Sequence, residues 1–260
     1  MSWIITPVST IEECRIIEQL QVDIWGSRPV EVTPDHVLLT AAKEGGVVML
    51  VRAPDGQPVG FGFGFLGRTA DGRWKLASHQ VGVLPAYQNS GLGYRIKLAQ
   101  REAVLAMGVE LITWTYDPLQ GRNARFNLHK LGAVANTCYR NLYGEMRDEI
   151  NRGLPSDRFR VDWWIASEHV RRRLEGDQPE TWPPDCPVLN PARFEDGLPV
   201  PPDEFAPPAS DACLVQVPAD IDALKTANPD LALRWRFHTR QIFEQAFAQG
   251  YTAVDFLRQG

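Results

Sequence analysis

A short glycine-containing segment, residues 88–93 with the sequence QNSGLG, has the composition of an anion-binding loop. It follows an apolar, β-branched run that stops at Pro85, and apolar residues recur behind it at helical spacing as far as Gly108. Backbone N–H groups at the start of a helix have no intrahelical acceptor and lie at the positive end of the helix dipole. Because glycine lets an anion approach these groups closely, the segment predicts a phosphate-binding site.

Two well-known phosphate-binding patterns do not fit this segment. The dinucleotide fingerprint requires three glycines spaced as G-x-G-x-x-G, and only Gly91 and Gly93 are present. The phosphate-loop pattern requires Gly-Lys followed by Ser or Thr, which is also missing. Two glycines could equally serve a tight turn between a strand and a helix, so the loop is not specific by itself.

The loop resembles the acyl-CoA loop of the GNAT superfamily of N-acyltransferases, which has the pattern Gln/Arg-x-x-Gly-x-Gly/Ala after a strand ending in Val-x-Pro. Here the sequence VLP occupies residues 83–85. A second segment, NARFNLHKLGA at 123–133, is similar to the next helix of that superfamily. The chain is most similar to a subgroup of larger acetyltransferases that carry an Asp-Pro-Leu sequence, found here at 117–119. The two motifs span about 76–133, and a looser resemblance extends over 3–166.

The resemblance implies a mixed α/β (α+β) fold of the GNAT type, with a splayed central sheet flanked by helices. In that fold the strands at 76–83 and 109–116 are parallel and diverge, and acyl-CoA enters between them. The implied activity is that of a CoA-dependent N-acyltransferase, with acetyl-CoA as the default co-substrate and direct attack by the amine of a small molecule or amino acid. Succinyl-CoA or a longer acyl-CoA is the enzymatic alternative. A non-catalytic, acyl-CoA-binding regulatory domain is the alternative from another class.

The resemblance also assigns roles to the coenzyme-binding residues. Backbone amides between Gln88 and Tyr94, with the Ser90 side chain, would hold the pyrophosphate. Strand-like pairing would hold the pantetheine, and the amide of Val83 or Leu84 would polarise the thioester carbonyl. The predicted coenzyme-binding residues are Val83, Leu84, Gln88, Asn89, Ser90, Gly91, Leu92, Gly93, Tyr94 and Asn123.

The predicted general base departs from the family pattern, because the strand before the loop lacks the Glu that many family enzymes place there. Its titratable residue is His79, whose period-two parity with Val81 and Val83 predicts that all three face one side. A His suits deprotonation of an amine, although it could equally be a core histidine. Asp117 is the rival base, and Asp before Pro is also a common way to open a turn.

The general acid departs from the family pattern. The position of the family's Tyr is occupied by Leu128, and Ala133 replaces the Phe of Leu-Gly-Phe. Either Tyr139 or Tyr143 would supply the hydroxyl, with Tyr139 preferred, or the thiolate would take its proton from solvent. A packing role for Tyr139 is the alternative.

Composition excludes several other classes of protein. The chain has 260 residues, a formal charge of -5 and 44% hydrophobic residues, with no Lys/Arg stripe that could follow a nucleic-acid backbone. No apolar run approaches the length of a membrane span, and the N-terminus lacks a signal-peptide pattern, which predicts a cytoplasmic protein. The scattered Cys and His residues show no metal-binding or disulfide spacing, so no metal is expected.

The elements that must position these residues follow the order β-α-α-β-β-β-α-β-α through residue 131. Glycines alternate at 60, 62 and 64 in one strand, which predicts that either a closely packed helix or a ligand tunnel lies against that face. Residues 135–146 are predicted to be irregular. A final strand is expected at 158–165.

We predict three regions along the chain. Residues 1–170 would form the catalytic domain, and the proline-rich stretch 171–210 would be a linker or a surface wrap. Residues 211–260 would form a small β-α-α-β subdomain with strands at 212–217 and 251–257. This subdomain is too small to be stable alone, so it would dock on the first domain or on a second subunit in a homodimer.

Overall fold

The fold is a mixed α/β arrangement built on a seven-stranded sheet, and the computed structural model describes residues 3–28, 30–144, 153–176 and 186–257. The sheet has the strand order β1-β2-β3-β4-β5-β7-β6. Its strands are β1 (Ile4–Pro7), β2 (Val47–Arg52), β3 (Pro58–Arg68), β4 (Trp74–Val83), β5 (Leu111–Tyr116), β6 (Val134–Tyr139) and β7 (Arg158–Trp164). A separate hairpin consists of β8 (Arg193–Glu195) and β9 (Leu198–Val200).

The helices lie between these strands in the order predicted from the sequence. They are α1 (Ile11–Trp25), α2 (Asp35–Lys43), α3 (Leu92–Ala106), α4 (Gly121–Ala124), α5 (Glu168–Glu175), α6 (Ile221–Ala227) and α7 (Pro229–Ala248). A π-helical stretch, Arg125–Lys130, continues α4. No helix in the described ranges is both long and apolar enough to cross a bilayer. The predicted fold class, a mixed sheet flanked by helices, is confirmed.

The chain divides into two compact units. The first comprises Met1–Trp114 with Trp164–Ala166, and the second comprises Thr115–Trp163 with Ser167–Gly260. Strands β5 and β7 contribute residues to both units.

The first unit buries apolar side chains on both faces of strands β1 to β4. One core lies between the sheet and helices α1 and α2, and it includes Ile17, Leu38 and Phe61. The other core lies between the sheet and α3, and it includes Val59 and Ile96. The start of α1 is fixed by a capping box: the Thr10 side chain accepts from the backbone N–H of Glu13, and the Glu13 carboxylate accepts from the backbone N–H of Thr10.

The sheet changes from antiparallel to parallel between β4 and β5, and this pairing is very short. Only two pairs join these strands, Leu76↔Ile112 and Ala77↔Thr113. Beyond Ala77, β4 runs on to Val83 without a β5 partner. We call the end of this pairing the β4–β5 fork. The predicted divergence of these two parallel strands is confirmed.

The second unit differs from the sequence prediction in two places. Residues 134–139 form β6, which pairs with β7 in antiparallel register, so the predicted irregular passage begins only after Tyr139. The two helices predicted near the C-terminus are present as α6 and α7, which pack Leu224 and Trp235 into a common core. The strands predicted beside them reduce to isolated bridges, Val188↔Leu214 and Ala135↔Ala253. Part of the predicted proline-rich linker, 177–185, lies outside the described residues.

The alternating glycines of β3 make room for a helix. A Cβ built on Gly62 would lie 2.9 Å from Cγ2 of Ile96 and 3.3 Å from Nε2 of Gln100, both on α3. A Cβ on Gly60 or Gly64 would meet the β4 backbone at 2.7 or 2.9 Å. Helix packing, one of the two explanations that the sequence left open, is observed at Gly62, whereas Gly60 and Gly64 lie against the β4 backbone.

This packing predicts a position-specific effect on stability. We expect Gly62→Ala to lower the free energy of unfolding by about 1–3 kcal/mol, because α3 must move or strain to admit the methyl group. Gly67→Ala is the matched control in the same strand, since the nearest atom to its Cβ would be the flexible end of Lys75 at 3.9 Å. Urea denaturation of the three proteins measures the effect, and equal stabilities for the two variants would contradict the packing explanation.

Candidate functional site

The loop between β4 and α3 is braced by its own side chains. Ser90 Oγ donates to the carbonyl oxygen of Tyr87 at 2.6 Å, and Gln88 Nε2 donates to that of Val83 at 3.3 Å. Asn89 and Gly91 have positive φ angles of 61° and 84°, which Asn tolerates and Gly favours. The Ser90 hydroxyl therefore donates its proton within the loop. In this conformation it does not have that proton to donate to pyrophosphate, which is the contact that the family resemblance predicts.

Backbone N–H groups at the start of α3 are open to a ligand. Gly91 is the N-cap and provides no side-chain cap, so the first-turn amides of Leu92, Gly93 and Tyr94 lack an intrahelical acceptor. Residues 88–91 are exposed. Within the described residues, no hydrogen bond from the amides of residues 89–94 to another protein group is found. Anion binding by these amides stays a prediction.

Gly93 indicates a bound anion more specifically than Gly91 does. The left-handed φ of Gly91 explains why glycine occupies that position. Gly93 has no such angle, and a Cβ built on it would meet nothing within 4 Å. Glycine inside a helix is less favourable than alanine by about 1 kcal/mol. Neither backbone conformation nor packing within the chain accounts for Gly93, whereas close approach of an anion to the helix start would account for it.

The free edge of β4 narrows the choice of oxyanion donor. The Leu84 amide donates to the carbonyl oxygen of Val59 at 2.9 Å, so it is used within the sheet. The backbone N–H and C=O groups of successive residues in a strand point alternately to its two neighbouring strands. Because the Leu84 amide points to the side of β3, those of Val83 and Val81 point to the side where β5 has diverged. Val83 remains a candidate donor, Leu84 does not, and Val81 is a candidate that the sequence analysis missed.

A β-bulge places His79 on the other face from the one predicted. The β3–β4 register pairs Gly64 with Ser78 and Phe63 with Gln80, which leaves His79 without a cross-strand partner. Its ring packs with Phe63, whose cluster includes residues of α1 and α2. Val81 and Val83 pack instead in the cluster that contains residues of α3. The prediction that these three residues share a face is wrong because the bulge shifts the alternation by one residue.

The surroundings of His79 favour a neutral imidazole. Its ring centroid lies 5.6 Å from that of Phe63 and 6.0 Å from that of Phe65, and the residue remains exposed to solvent. Desolvation by the adjacent protein lowers the pKa of His79 below its ordinary value. On the same face, Gln80 hydrogen-bonds to the side chains of Gln21 and Thr33. A neutral, accessible imidazole can accept a proton at pH 7.

Lys97 is a polar residue at the fork that the sequence analysis did not identify. Its Nζ donates to Ser78 Oγ at 2.9 Å and lies 3.7 Å from the centroid of the Trp114 ring. Ser78 and Trp114 are the residues that follow the last β4–β5 pair. Lys97 is only 4% exposed, and burial lowers its pKa to about 7. Its position on the buried face of α3 with Gln100 and Val104 is the sequence signal that could have revealed it.

Asp117 belongs to a structural ion-pair cluster in the second unit. Its Oδ2 accepts from Arg236 and lies 3.6 Å from Nη1 of Arg158, and its Oδ1 accepts from the backbone N–H of Leu119 at 2.9 Å. Arg236 is buried, and its Nε and Nη1 have no partner in the described residues. Because both carboxylate oxygens are engaged, the geometry disfavours the predicted alternative role of Asp117 as the general base.

The remaining predicted residues also lie in the second unit. Tyr139 ends β6 and is half-buried, and Tyr143 Oη lies 2.8 Å from Thr115 Oγ1. Asn123 is exposed on α4, and Leu128 is buried in the π-helical stretch that follows. The coenzyme contact of Asn123 and the acid role of Tyr139 stay predictions.

The buried Lys97 predicts a pH-dependent stability. Its folded-state pKa of about 7 lies below the ordinary value of 10.5, so the unfolded chain binds more protons between these pH values. We therefore expect the wild type to gain stability relative to Lys97→Met as pH rises from 7 towards 10, by up to about 1.4 kcal/mol per pH unit. Lys43→Met, at an exposed site, is the control. Parallel pH profiles for the wild type and Lys97→Met in urea denaturation would contradict the burial argument.

Comparison with known proteins gives structural matches alone. No family profile and no curated protein matches the chain. A Desulfovibrio desulfuricans protein assigned to the GNAT family of acetyltransferases is 15% identical, with a TM-score of 0.48 over 64% of this chain and 100% of that one. The Escherichia coli N-acetyltransferase for alanine of ribosomal protein S18 is 17% identical, with a TM-score of 0.47 over 64% of this chain and 96% of that one. A Salmonella typhimurium protein assigned as an acetyltransferase and solved with acetyl-CoA is 15% identical, with a TM-score of 0.47 over 72% of this chain and 100% of that one. The solved structures to which this chain is similar thus include members of the GNAT superfamily that its two sequence motifs resemble.

Proposed function

We propose that this protein is a CoA-dependent N-acyltransferase that transfers an acyl group to the amine of a small molecule or amino acid. The observation that carries this proposal is the open amide turn at the start of α3, where Gly93 leaves space that the chain itself does not fill. Acetyl-CoA is the default co-substrate. The reaction would take place in the cytoplasm, the compartment that the sequence predicts.

The first unit offers a binding surface for each part of an acyl-CoA. The N–H groups of residues 91–94 would hold the pyrophosphate at the positive end of α3. The unpaired edge of β4 would hydrogen-bond to the amides of pantetheine as a partner strand does. This arrangement places the pantetheine and its thioester along the free edge of β4, in the direction of the β4–β5 fork. On that edge, the amide of Val81 or Val83 would stabilise the oxyanion that forms during attack.

His79 is our proposed general base. Its exposed imidazole would accept a proton from the amine as the nitrogen attacks the thioester carbon, and the collapse of the tetrahedral intermediate would release the thiolate. The amine would approach from the face of the sheet on which His79 packs with Phe63 and Phe65 of β3. Tyr139 stays our proposed acid, with protonation of the thiolate by solvent as the alternative.

A non-catalytic acyl-CoA-binding domain is the second candidate function. It is favoured by Leu128, a buried residue at the position where the family has its Tyr, and by the engagement of Asp117 with two arginines. Calorimetric binding of CoA combined with no thiol release from acetyl-CoA over a broad panel of amines would support this second function and would contradict an enzymatic one.

The coenzyme site predicts opposite effects of one substitution on stability and on binding. We expect Gly93→Ala to leave the fold as stable as the wild type or to stabilise it by up to about 1 kcal/mol, because alanine is the better helix former. We expect the same change to weaken CoA binding about tenfold or more, because the methyl group separates the amides from the phosphates. Titration calorimetry measures binding, and Gly67→Ala serves as the control. Unchanged CoA affinity in Gly93→Ala would contradict the proposed site.

The proposed base predicts a defect in chemistry without a defect in binding. We expect His79→Gln to lower the rate of thiol release by about 10²–10⁴-fold while the Kd for CoA stays unchanged. The fall in kcat/KM towards low pH that reflects protonation of the imidazole should also disappear. His36→Gln, at an exposed site on α2, is the control. A normal rate and pH profile in His79→Gln would rule out this role and leave the coenzyme site unaffected.

A further inference from the structure

We propose that the acyl group of the co-substrate carries a carboxylate, and that Lys97 is a specificity-determining residue that binds it at the β4–β5 fork. This inference rests on the proposed acyltransferase function and replaces its default acetyl donor with a dicarboxylic acyl-CoA. Succinyl-CoA and malonyl-CoA are the representatives of this class.

The first argument is that the buried Lys97 amine lacks acceptors. The Lys97 ammonium has three protons to donate and a single hydrogen-bond acceptor, Ser78 Oγ. Ser78 Oγ in turn donates to Oε1 of Gln100, which fixes the hydroxyl with its oxygen towards Lys97. In the part of the chain that the structure describes, no carboxylate forms an ion pair with Lys97. Burial without a counter-ion is also what lowers the pKa of this residue.

The second argument is the position of this amine along the path of the coenzyme. Ser78, which Lys97 contacts, lies five residues before Val83, the strand end that adjoins the amide turn. At the rise of a β-strand this separation is roughly 16 Å. A pantetheine arm that starts at α3 and follows the β4 edge therefore extends towards Ser78. The acyl group, at the far end of that arm, is the part of the donor nearest to Lys97.

The third argument is the chemistry that the site lacks. A carboxylate supplies two oxygens that accept several hydrogen bonds, enough for the remaining protons of the Lys97 ammonium. An unpaired buried charge is unfavourable, and a bound anion would remove that penalty. An acetyl group ends in a methyl and offers neither charge nor an acceptor beyond the thioester. The centroid of the Trp114 ring lies 3.7 Å from Lys97 Nζ, so the ring stabilises the cation by a cation–π interaction but provides no oxygen as a hydrogen-bond acceptor.

The experiment measures the binding of CoA, acetyl-CoA, malonyl-CoA and succinyl-CoA by titration calorimetry, for which no amine is needed. We expect the wild type to bind succinyl-CoA or malonyl-CoA at least about tenfold more tightly than acetyl-CoA. In Lys97→Met this preference should disappear while the affinity for acetyl-CoA stays within about threefold of the wild type. Equal affinities for acetyl-CoA and both dicarboxylic donors in the wild type, or a preference that survives in Lys97→Met, would overturn the proposal.

A second measurement determines whether ligand binding is accompanied by proton uptake. At pH 8 a carboxylate beside Lys97 should draw a proton onto its amine, so binding of succinyl-CoA or malonyl-CoA should be accompanied by proton uptake, and binding of acetyl-CoA should not. Titrations in two buffers of different ionisation enthalpy measure this uptake, and its absence with a tightly bound dicarboxylic donor would overturn the role of Lys97. If Lys97→Met fails to bind any ligand, this measurement of proton uptake in the wild type still tests the proposal.

These outcomes are distinct from a failure of the proposed function. If the wild type binds none of the four ligands, then the acyl-CoA site itself is wrong and this inference is overturned with it. If it binds all four alike, the coenzyme site stands and the proposed donor specificity is wrong.

Discussion

The early end of the pairing between β4 and β5 is the constraint on which the rest of the candidate site depends. Two residue pairs hold these parallel strands together, and the backbone groups of β4 beyond Ala77 then have no β5 partner. Unpaired backbone N–H and C=O groups need acceptors and donors from elsewhere, so a free strand edge favours a ligand with amides of its own. The open amides of α3 follow the end of this edge, so in the proposed function the two features would form one continuous binding surface in the first unit.

A bulge in β4 gives the two faces of this strand different roles. Before the bulge Ser78 points to α3 and to Lys97, whereas the bulged residue His79 lies with Phe63 and Phe65 on the opposite face. The buried amine of Lys97 therefore contacts one face of β4, whereas the accessible imidazole of His79 lies on the other face. In the proposed function, this separation would place the acyl donor on one side of the sheet and the acceptor amine on the other.

Glycine has distinct physical functions at different positions in the first unit. Gly62 is required because α3 packs against it, and Gly91 is favoured by a left-handed backbone angle. Gly93 has neither reason, although alanine would suit the helix better. A residue type that the fold does not need is better evidence for a ligand than one that the fold requires. Gly93 is therefore stronger evidence for a bound anion than the Gly-x-Gly pattern as a whole.

The sequence by itself determined the order of the elements through residue 131 and predicted an anion-binding loop at 88–93, because strand periodicity, helix signals and glycine positions are local properties. It also identified His79 but assigned it to the wrong face, since the bulge that shifts the alternation depends on the register between β3 and β4. Only the tertiary structure showed that the Leu84 amide is already used by Val59 and that Asp117 is held by arginines distant in sequence. The contacts of Lys97 with Ser78 and Trp114 also required the tertiary structure, because they arise from three elements packed together. Hydrogen-bond partners and desolvation are set by residues far apart in the chain, and for this reason they could not be derived from the spacing of residues along it.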